Sequence, residues 1–143
     1  MAARPYLCVY LVLEEDEKIL LGLRQNTGYE DEKYALVAGH AEEGESAIQA
    51  ICREAKEEIG ITILPQNLEV IHIMHSLTNR ENLNIFMRPK KYSGIIQNME
   101  PDKCVELKFF PKDKLPANLS SYVPAMLSNL ENKAFYSEYG WEK

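Results

Sequence analysis

Residues 46–59 hold no glycine or proline, and the residues at their two ends are those that start and stop an α-helix. Ser46 offers a hydroxyl to the unpaired amides of a first turn, Gln49 stands three residues on in the reciprocal position, and Gly60 can adopt the left-handed conformation that ends a helix. The spacing predicts a helix over 46–59 with two stripes. Ala47, Ile51, Ala55 and Ile59 form an apolar stripe that docks on other structure and leaves the acids at the edge of a cleft. Glu54, Glu57 and Glu58, at i, i+3 and i+4, crowd their carboxylates together, and like charges there destabilise an isolated helix. Taken alone, the acidic stripe is a solvated face paired with Arg53 and Lys56. A stripe retained for chemistry calls for a bound cation.

The flanking sequence reads mostly as strands. Residues 6–13 are β-branched and aromatic, 14–17 are a polar interruption, and 18–24 resume the apolar run. Residues 25–33, with Asn26-Thr27-Gly28, form a loop, and 34–38 are a brief strand ending at Gly39. Strands follow at 68–77 and 83–90, separated by turn residues 78–82, and another lies at 106–110. Residues 121–135 predict a second amphipathic helix, with Pro124 tolerated in its first turn. No repeat, linker or low-complexity tract divides the chain, so one domain spans 1–143, with a mixed β-sheet and helices packed on it in the α/β (α+β) sense.

Composition narrows function by exclusion. With 45% hydrophobic and 27% charged residues the chain belongs among folded domains rather than disordered ones. A net charge of −6 makes nucleic acid an unfavourable partner by bulk attraction. Cys8, Cys52 and Cys104 show no C-x-x-C pair or metal spacing, which argues for reduced thiols and a cytoplasmic location. The first apolar run is too short to span a membrane and is followed by acids, so neither a membrane segment nor an export signal is expected.

The acidic stripe belongs to a longer pattern: Gly39, then Glu45, then after seven residues Arg53-Glu54-Ala55-Lys56-Glu57-Glu58-Ile59-Gly60-Ile61. This resembles the Nudix box, G-x5-E-x7-R-E-U-x-E-E-x-G-U with U apolar. Every fixed position is met, Ala55 matching weakly and Ile61 well at the apolar ones. At roughly 7% usage per fixed residue, a chance match is on the order of one in a million per chain. The resemblance implies an α/β/α sandwich with a mixed sheet between helices. It also implies hydrolysis of a phosphoanhydride in a nucleoside diphosphate derivative, supported by Mg²⁺ or Mn²⁺, hard cations that favour carboxylate ligands and activate a water with the help of a general base. Position by position, Glu57 and Glu58 become principal metal ligands, Glu54 a ligand or general base, and Glu45 a ligand or a partner of Arg53. Arg53 orients the glutamates, and the Gly39 carbonyl is a further ligand. Val37 stands where the family often has proline, which bears on loop rigidity alone.

Outside the box, Glu100 lies where many members place a distal glutamate that binds metal or acts as base. Arg24 ends a strand and can reach a phosphate, and His40, next to the box glycine, can face substrate. His72 and His75 have opposite strand parity, so they do not form a shared metal site. Tyr29, Tyr34, Phe86 and Trp141 can stack on a base, although core or surface packing accounts for each of them as well. About five residues precede the first strand, and many dimeric ADP-ribose-hydrolysing relatives carry an extension there. The chain is therefore more similar to compact MutT-like members that convert a nucleoside triphosphate, 8-oxo-dGTP among the candidates, to the monophosphate and pyrophosphate. The alternatives are an ADP-ribose, dinucleoside polyphosphate or nucleotide-sugar hydrolase, and a non-catalytic nucleotide-binding domain, which should have lost a box glutamate. An RNA-decapping role calls for a basic channel that a pI near 5.1 does not suggest. The partner is thus a small nucleotide, and homodimerisation stays open.

Overall fold

The computed structural model describes residues 1–141. Its first strand, β1 (Tyr6–Leu11), shows what organises the molecule, because its two faces serve different cores. Val9 and Leu11 join the cluster that receives the long helix, whereas Tyr10 and, just beyond the strand, Val12 belong to the opposite cluster. β2 (Glu14–Glu15) and β3 (Lys18–Arg24) form a hairpin. Its turn residues Asp16 and Glu17 both have positive φ, 51° and 63°, as a tight two-residue hairpin turn requires. β4 (Tyr34–Ala35) pairs with β3, while β5 (Val37–His40) pairs with β1. The strand expected over 34–38 is thus two strands in two sheets. The break at buried Leu36 is what brings Gly39 and His40 beside the helix.

The helix α1 (Ala47–Ile59) follows the sequence closely. Ser46 Oγ accepts from the Gln49 amide at 3.1 Å, Gln49 Oε1 accepts from the Ser46 amide at 2.9 Å, and Gly60 closes the helix at φ 76°. Ile51, Ala55 and Ile59 are buried as expected; Ala50 is buried too, and Ala47 only partly. A 3₁₀ turn (Pro65–Asn67) leads into β6 (Leu68–Leu77), and β7 (Glu81–Pro89) returns antiparallel to it. The connecting turn is shorter than expected from sequence, and Glu81 and Asn82 already lie in the ladder. β8 (Cys104–Pro111) joins β3.

The second helix ends early: α2 is Tyr122–Glu131, and Ser121 makes no side-chain cap. Lys133 turns the chain at φ 58°, and Tyr136–Tyr139 becomes β9, laid parallel along the open edge of β6. Unpaired backbone groups on that edge outweigh the helical pattern of residues 132–135. The strands form two sheets, in the order β5-β1-β7-β6-β9 and β2-β3-β4 with β8 on β3. They lie between α1, on the cluster of Val9, Leu20, Ile51 and Met87, and α2, whose Met126 packs with Val12, Leu21 and Phe86. This is the expected helix–sheet–helix sandwich. None of the helices among the described residues is long and apolar enough to cross a membrane.

Candidate active site

Arg53 is the hub of the acidic edge of α1. Its Nε and Nη2 donate to the two oxygens of Glu45 at 2.8 and 3.0 Å, a bidentate pair. Its Nη1 lies 3.3 Å from both Glu54 and Glu57, and its Nη2 also donates to the His40 carbonyl at 3.1 Å. The guanidinium beside Glu45, aided by the Glu42 amide, holds that carboxyl at about 2. One arginine therefore ties the loop before the helix to the helix itself.

The inner acids are placed differently. Burial pushes the Glu58 carboxyl up to about 9, reinforced by the hydrogen bond and charge of Glu54 and by the charge of Glu100, and opposed by the Ala38 amide. Burial also raises Glu54, and its Glu58 and Arg53 contacts only partly oppose this. The two carboxyls are close enough to shift one another. Gly39 makes room for them: a Cβ built there would overlap the Glu54 carboxylate. This is the close approach that demands glycine at that position.

Glu100 reaches the pair through a loop that completes the end of α1. The amides of Met99 and Gln97 donate to the carbonyls of Glu58 and Ile59, each at 3.0 Å, satisfying groups a helix end leaves unpaired. Asn98 staples the loop, donating to the Cys104 carbonyl at 2.7 Å and accepting from the Glu100 amide at 3.1 Å. Gln25 and Asn26 hold its far side through the carbonyls of Pro101 and Asp102. Sequence reasoning pointed to Glu100 but missed Asn98, whose only signal was an amide two residues before an acid.

Two adjoining cavities open beside these acids and share Arg24, Thr27 and Ala38. The smaller, about 260 Å³, is lined by Glu58, Glu100 and Lys103; the larger, about 510 Å³, by Tyr29, Gly39, His40, Arg80 and Asn82. Arg24 is fixed toward them by donation to the Tyr29 carbonyl and the Thr27 hydroxyl, each at 2.9 Å. His40 contacts Arg80, and burial followed by the Arg80 charge lowers its pKa. Arg80 lies 4.0 Å over the Tyr6 ring. It sits in the hairpin turn that the sequence reading treated as a spacer. Tyr29 borders the larger cavity, whereas Phe86 is core, Tyr34 bonds Glu106, and Trp141 donates to the His75 carbonyl. His72 is buried against Ala134 and Ser137, apart from His75, which pairs with Glu81.

The donor set suits a hard divalent cation, since the groups that meet are carboxylates crowded against one another. Among the described residues no three such groups already converge at ligand distance. The fit lies in the chemistry and spacing of Glu54, Glu58 and the Gly39 backbone.

Comparison with known proteins agrees with this geometry. The NUDIX domain family matches residues 3–130. NAD-capped RNA hydrolase NudC of Shigella dysenteriae is 28% identical over 109 residues, a stretch covering 76% of this chain and 40% of that protein. The chain thus spans about two fifths of the length of the curated relatives it matches. The crystal structure of a MutT NUDIX hydrolase from Burkholderia pseudomallei superposes with a TM-score of 0.79 at 23% identity, over 88% of this chain and 98% of that one. A NUDIX hydrolase from Nitrosomonas europaea gives 0.73 at 26% identity, over 93% of each chain. With the family matched along most of its length and the box residues gathered at one edge of α1, the chain belongs to the Nudix family.

Proposed function

We propose that the protein is a divalent-cation-dependent pyrophosphohydrolase of small nucleotides, with a nucleoside triphosphate as the favoured substrate. The observation that carries this reading is the Glu54–Glu58 pair, meeting against Gly39 under an arginine clamp, at the wall of a cleft holding Arg24 and Lys103. Glu54, Glu57, Glu58 and the Gly39 carbonyl would hold Mg²⁺ or Mn²⁺, with Glu45 assigned to Arg53. The cation supplies charge neutralisation at the phosphoryl oxygens and acidifies a water. Arg53 fixes the carboxylates before substrate arrives, so little reorganisation is needed. Glu100, which lines the smaller cavity with Glu58, would take a proton from an attacking water. Arg24 and Lys103 offer charge-assisted donors to a phosphate chain.

A triphosphate carries one nucleoside, and the cleft pairs one large cavity with one small charged one. The second reading is a dinucleotide pyrophosphate, the kind of linkage suggested by the NudC relative, whose name gives NAD-capped RNA as its target. The free thiols of Cys8, Cys52 and Cys104 support a reducing, cytoplasmic setting. The test is kcat/KM across nucleoside triphosphates, ADP-ribose, NAD and dinucleoside polyphosphates under one Mg²⁺ condition. Triphosphates are expected to lead. A tenfold or greater advantage for ADP-ribose or NAD, about 1.4 kcal/mol in transition-state binding, overturns the substrate assignment. No hydrolysis of any of them overturns the enzyme assignment.

A further inference from the structure

Lys103 and Glu100 belong to one turn, three residues apart, and both line the smaller cavity, yet they do not pair. The lysine side chains that find a hydrogen-bond partner among the described residues are those of Lys33, Lys56 and Lys112. Lys103 has none, and it alone of the described lysines stands on the wall of a cavity. A carboxylate and an ammonium on one short turn pair readily, and an exposed pair of that kind is worth little. Holding them apart therefore costs little and leaves the cation for something else.

The backbone beneath Lys103 is fixed. Its amide donates to the Glu100 carbonyl at 2.9 Å, and its carbonyl accepts from the Gln25 amide at 3.0 Å. The side chains of Gln25 and Asn26 donate to the Pro101 and Asp102 carbonyls at 3.0 and 3.1 Å, so three successive carbonyls are tied to the residues that follow Arg24. Arg24 itself lies opposite Cys104 in the β3–β8 ladder, which brings the two cations to one end of that ladder. The Arg24 side-chain bonds go to neutral oxygens of Thr27 and Tyr29, so no bonded carboxylate cancels either charge. The cavity that both line is about 260 Å³, below the roughly 300 Å³ at which ligand pockets commonly begin, so it takes a small anionic group and not a second nucleoside.

We propose that Lys103 is a specificity-determining residue that reads the free end of a phosphate chain, its ammonium taking the oxygens of a terminal phosphate that carries no ester. A compact cation with three donors on a flexible stem suits such a group, whose oxygens rotate freely and hold the highest charge of the chain. In ADP-ribose or NAD every phosphate is esterified on both sides and bears one charge, which leaves Lys103 without this partner. The inference rests on the reading of the site as one for nucleoside triphosphates and names the residue that favours them over dinucleotides.

The test uses the whole protein in excess EDTA, so that binding is read without turnover. ATP and its γ-methyl ester, which share all but the free end, are titrated by calorimetry and by NMR of the lysine ε-methylene groups. ATP is expected to bind about tenfold more tightly and to shift the Lys103 resonance, as a charge-assisted bond to the terminal oxygens implies. Lys103→Met keeps the length of the side chain without its charge; there the two ligands should converge to within about threefold, with the melting temperature unchanged. Lys91→Ala removes the same charge from an exposed site outside both cavities and should keep the tenfold ratio. Equal affinities in the wild-type protein, failure of both to bind included, overturn the assignment, as does an ATP advantage that survives in Lys103→Met or vanishes in Lys91→Ala. The wild-type comparison stands even where a variant fails to fold. Selective binding of the free end without hydrolysis of any nucleotide would refute the proposed activity and leave the role of Lys103 in place; triphosphate hydrolysis with no such selectivity would do the reverse.

Discussion

Glu45 and Glu58 are both glutamates of the box, one in the loop before α1 and one in its last turn, and the fold drives them in opposite directions. Glu45 keeps both oxygens on Arg53, with 16% of its side chain exposed, and its carboxyl is held at about 2. Glu58 is turned inward against Glu54 and Glu100, and its carboxyl is pushed up to about 9. The outer acid is a finished structural contact that keeps the arginine in place. The inner acids are crowded together, and burial and neighbouring carboxyls disfavour the charge of each. The comparison separates the part of the Nudix box that builds the site from the part proposed to act.

The largest effect should come from removing a proposed ligand, either Glu58 of the inner set or Glu57, which lies half-exposed on Arg53. In Glu58→Gln, and equally in Glu57→Gln, kcat/KM is expected to fall about a thousandfold, roughly 4 kcal/mol of transition-state stabilisation, with the fold intact by circular dichroism. Excess chelator should silence the wild-type enzyme in the same way. Turnover that survives either the substitution or the chelator refutes the assignment of these acids to a cation.

Breaking the outer set should do less to chemistry and more to structure. Arg53→Ala releases Glu45, Glu54 and Glu57 at once. A loss of about a hundredfold in kcat is expected as the carboxylates lose their fixed positions, with about 1 kcal/mol of stability lost from a partly exposed pair. Arg53→Lys keeps the charge but not the fork and should recover little. Full recovery in the lysine variant would mean that charge, not geometry, is what Arg53 supplies.

The comparison also has a pH signature in the metal-free protein. Because the folded-state pKa of Glu58 is raised, the native protein holds a proton that the unfolded chain releases above the ordinary carboxylate value of 4.5. That contribution to stability is fully present below about pH 4.5 and is lost as pH rises toward about 9. Glu58→Gln cannot lose it, so its melting temperature should exceed the wild-type value at pH 8, and the gap should close below pH 4.5. Parallel melting curves for the two proteins across this range would remove the buried proton from the account.

What could be read from the sequence follows the same divide. The helix and its caps are local, so spacing along the chain already implies them, whereas the contact between Glu45 and Arg53 was one of two roles that the resemblance implied for Glu45. The inward turn of Glu58 is not local. It depends on Gly39 arriving from β5 after the break at Leu36, and on the 97–104 loop folding back over the end of α1. The second helix was overextended because residues 132–135 keep a helical pattern that competes with the open edge of β6, which sequence alone does not display. The larger cavity is assembled from β1, the 25–33 loop, β5, the β6–β7 turn and the start of α2, and no spacing rule brings Tyr29, Arg80 and Asn82 together.

The smallest expected effect concerns Glu100, where position and chemistry can be separated. Its backbone is tied on both sides, with its amide on Asn98 and its carbonyl accepting from the amides of Lys103 and Cys104. Glu100→Gln keeps those bonds, so the loop and the melting temperature should hold while kcat drops about tenfold and KM stays level, the pattern of a group that acts in the transition state. Asn98→Ala leaves the carboxylate present but frees the loop that aims it, and should lower kcat and the melting temperature together. If Glu100→Gln has wild-type kinetics while Asn98→Ala is impaired, the loop serves only to complete the end of α1. The proton would then have to be taken by another inner carboxyl, Glu54, which Arg53 holds at 3.3 Å.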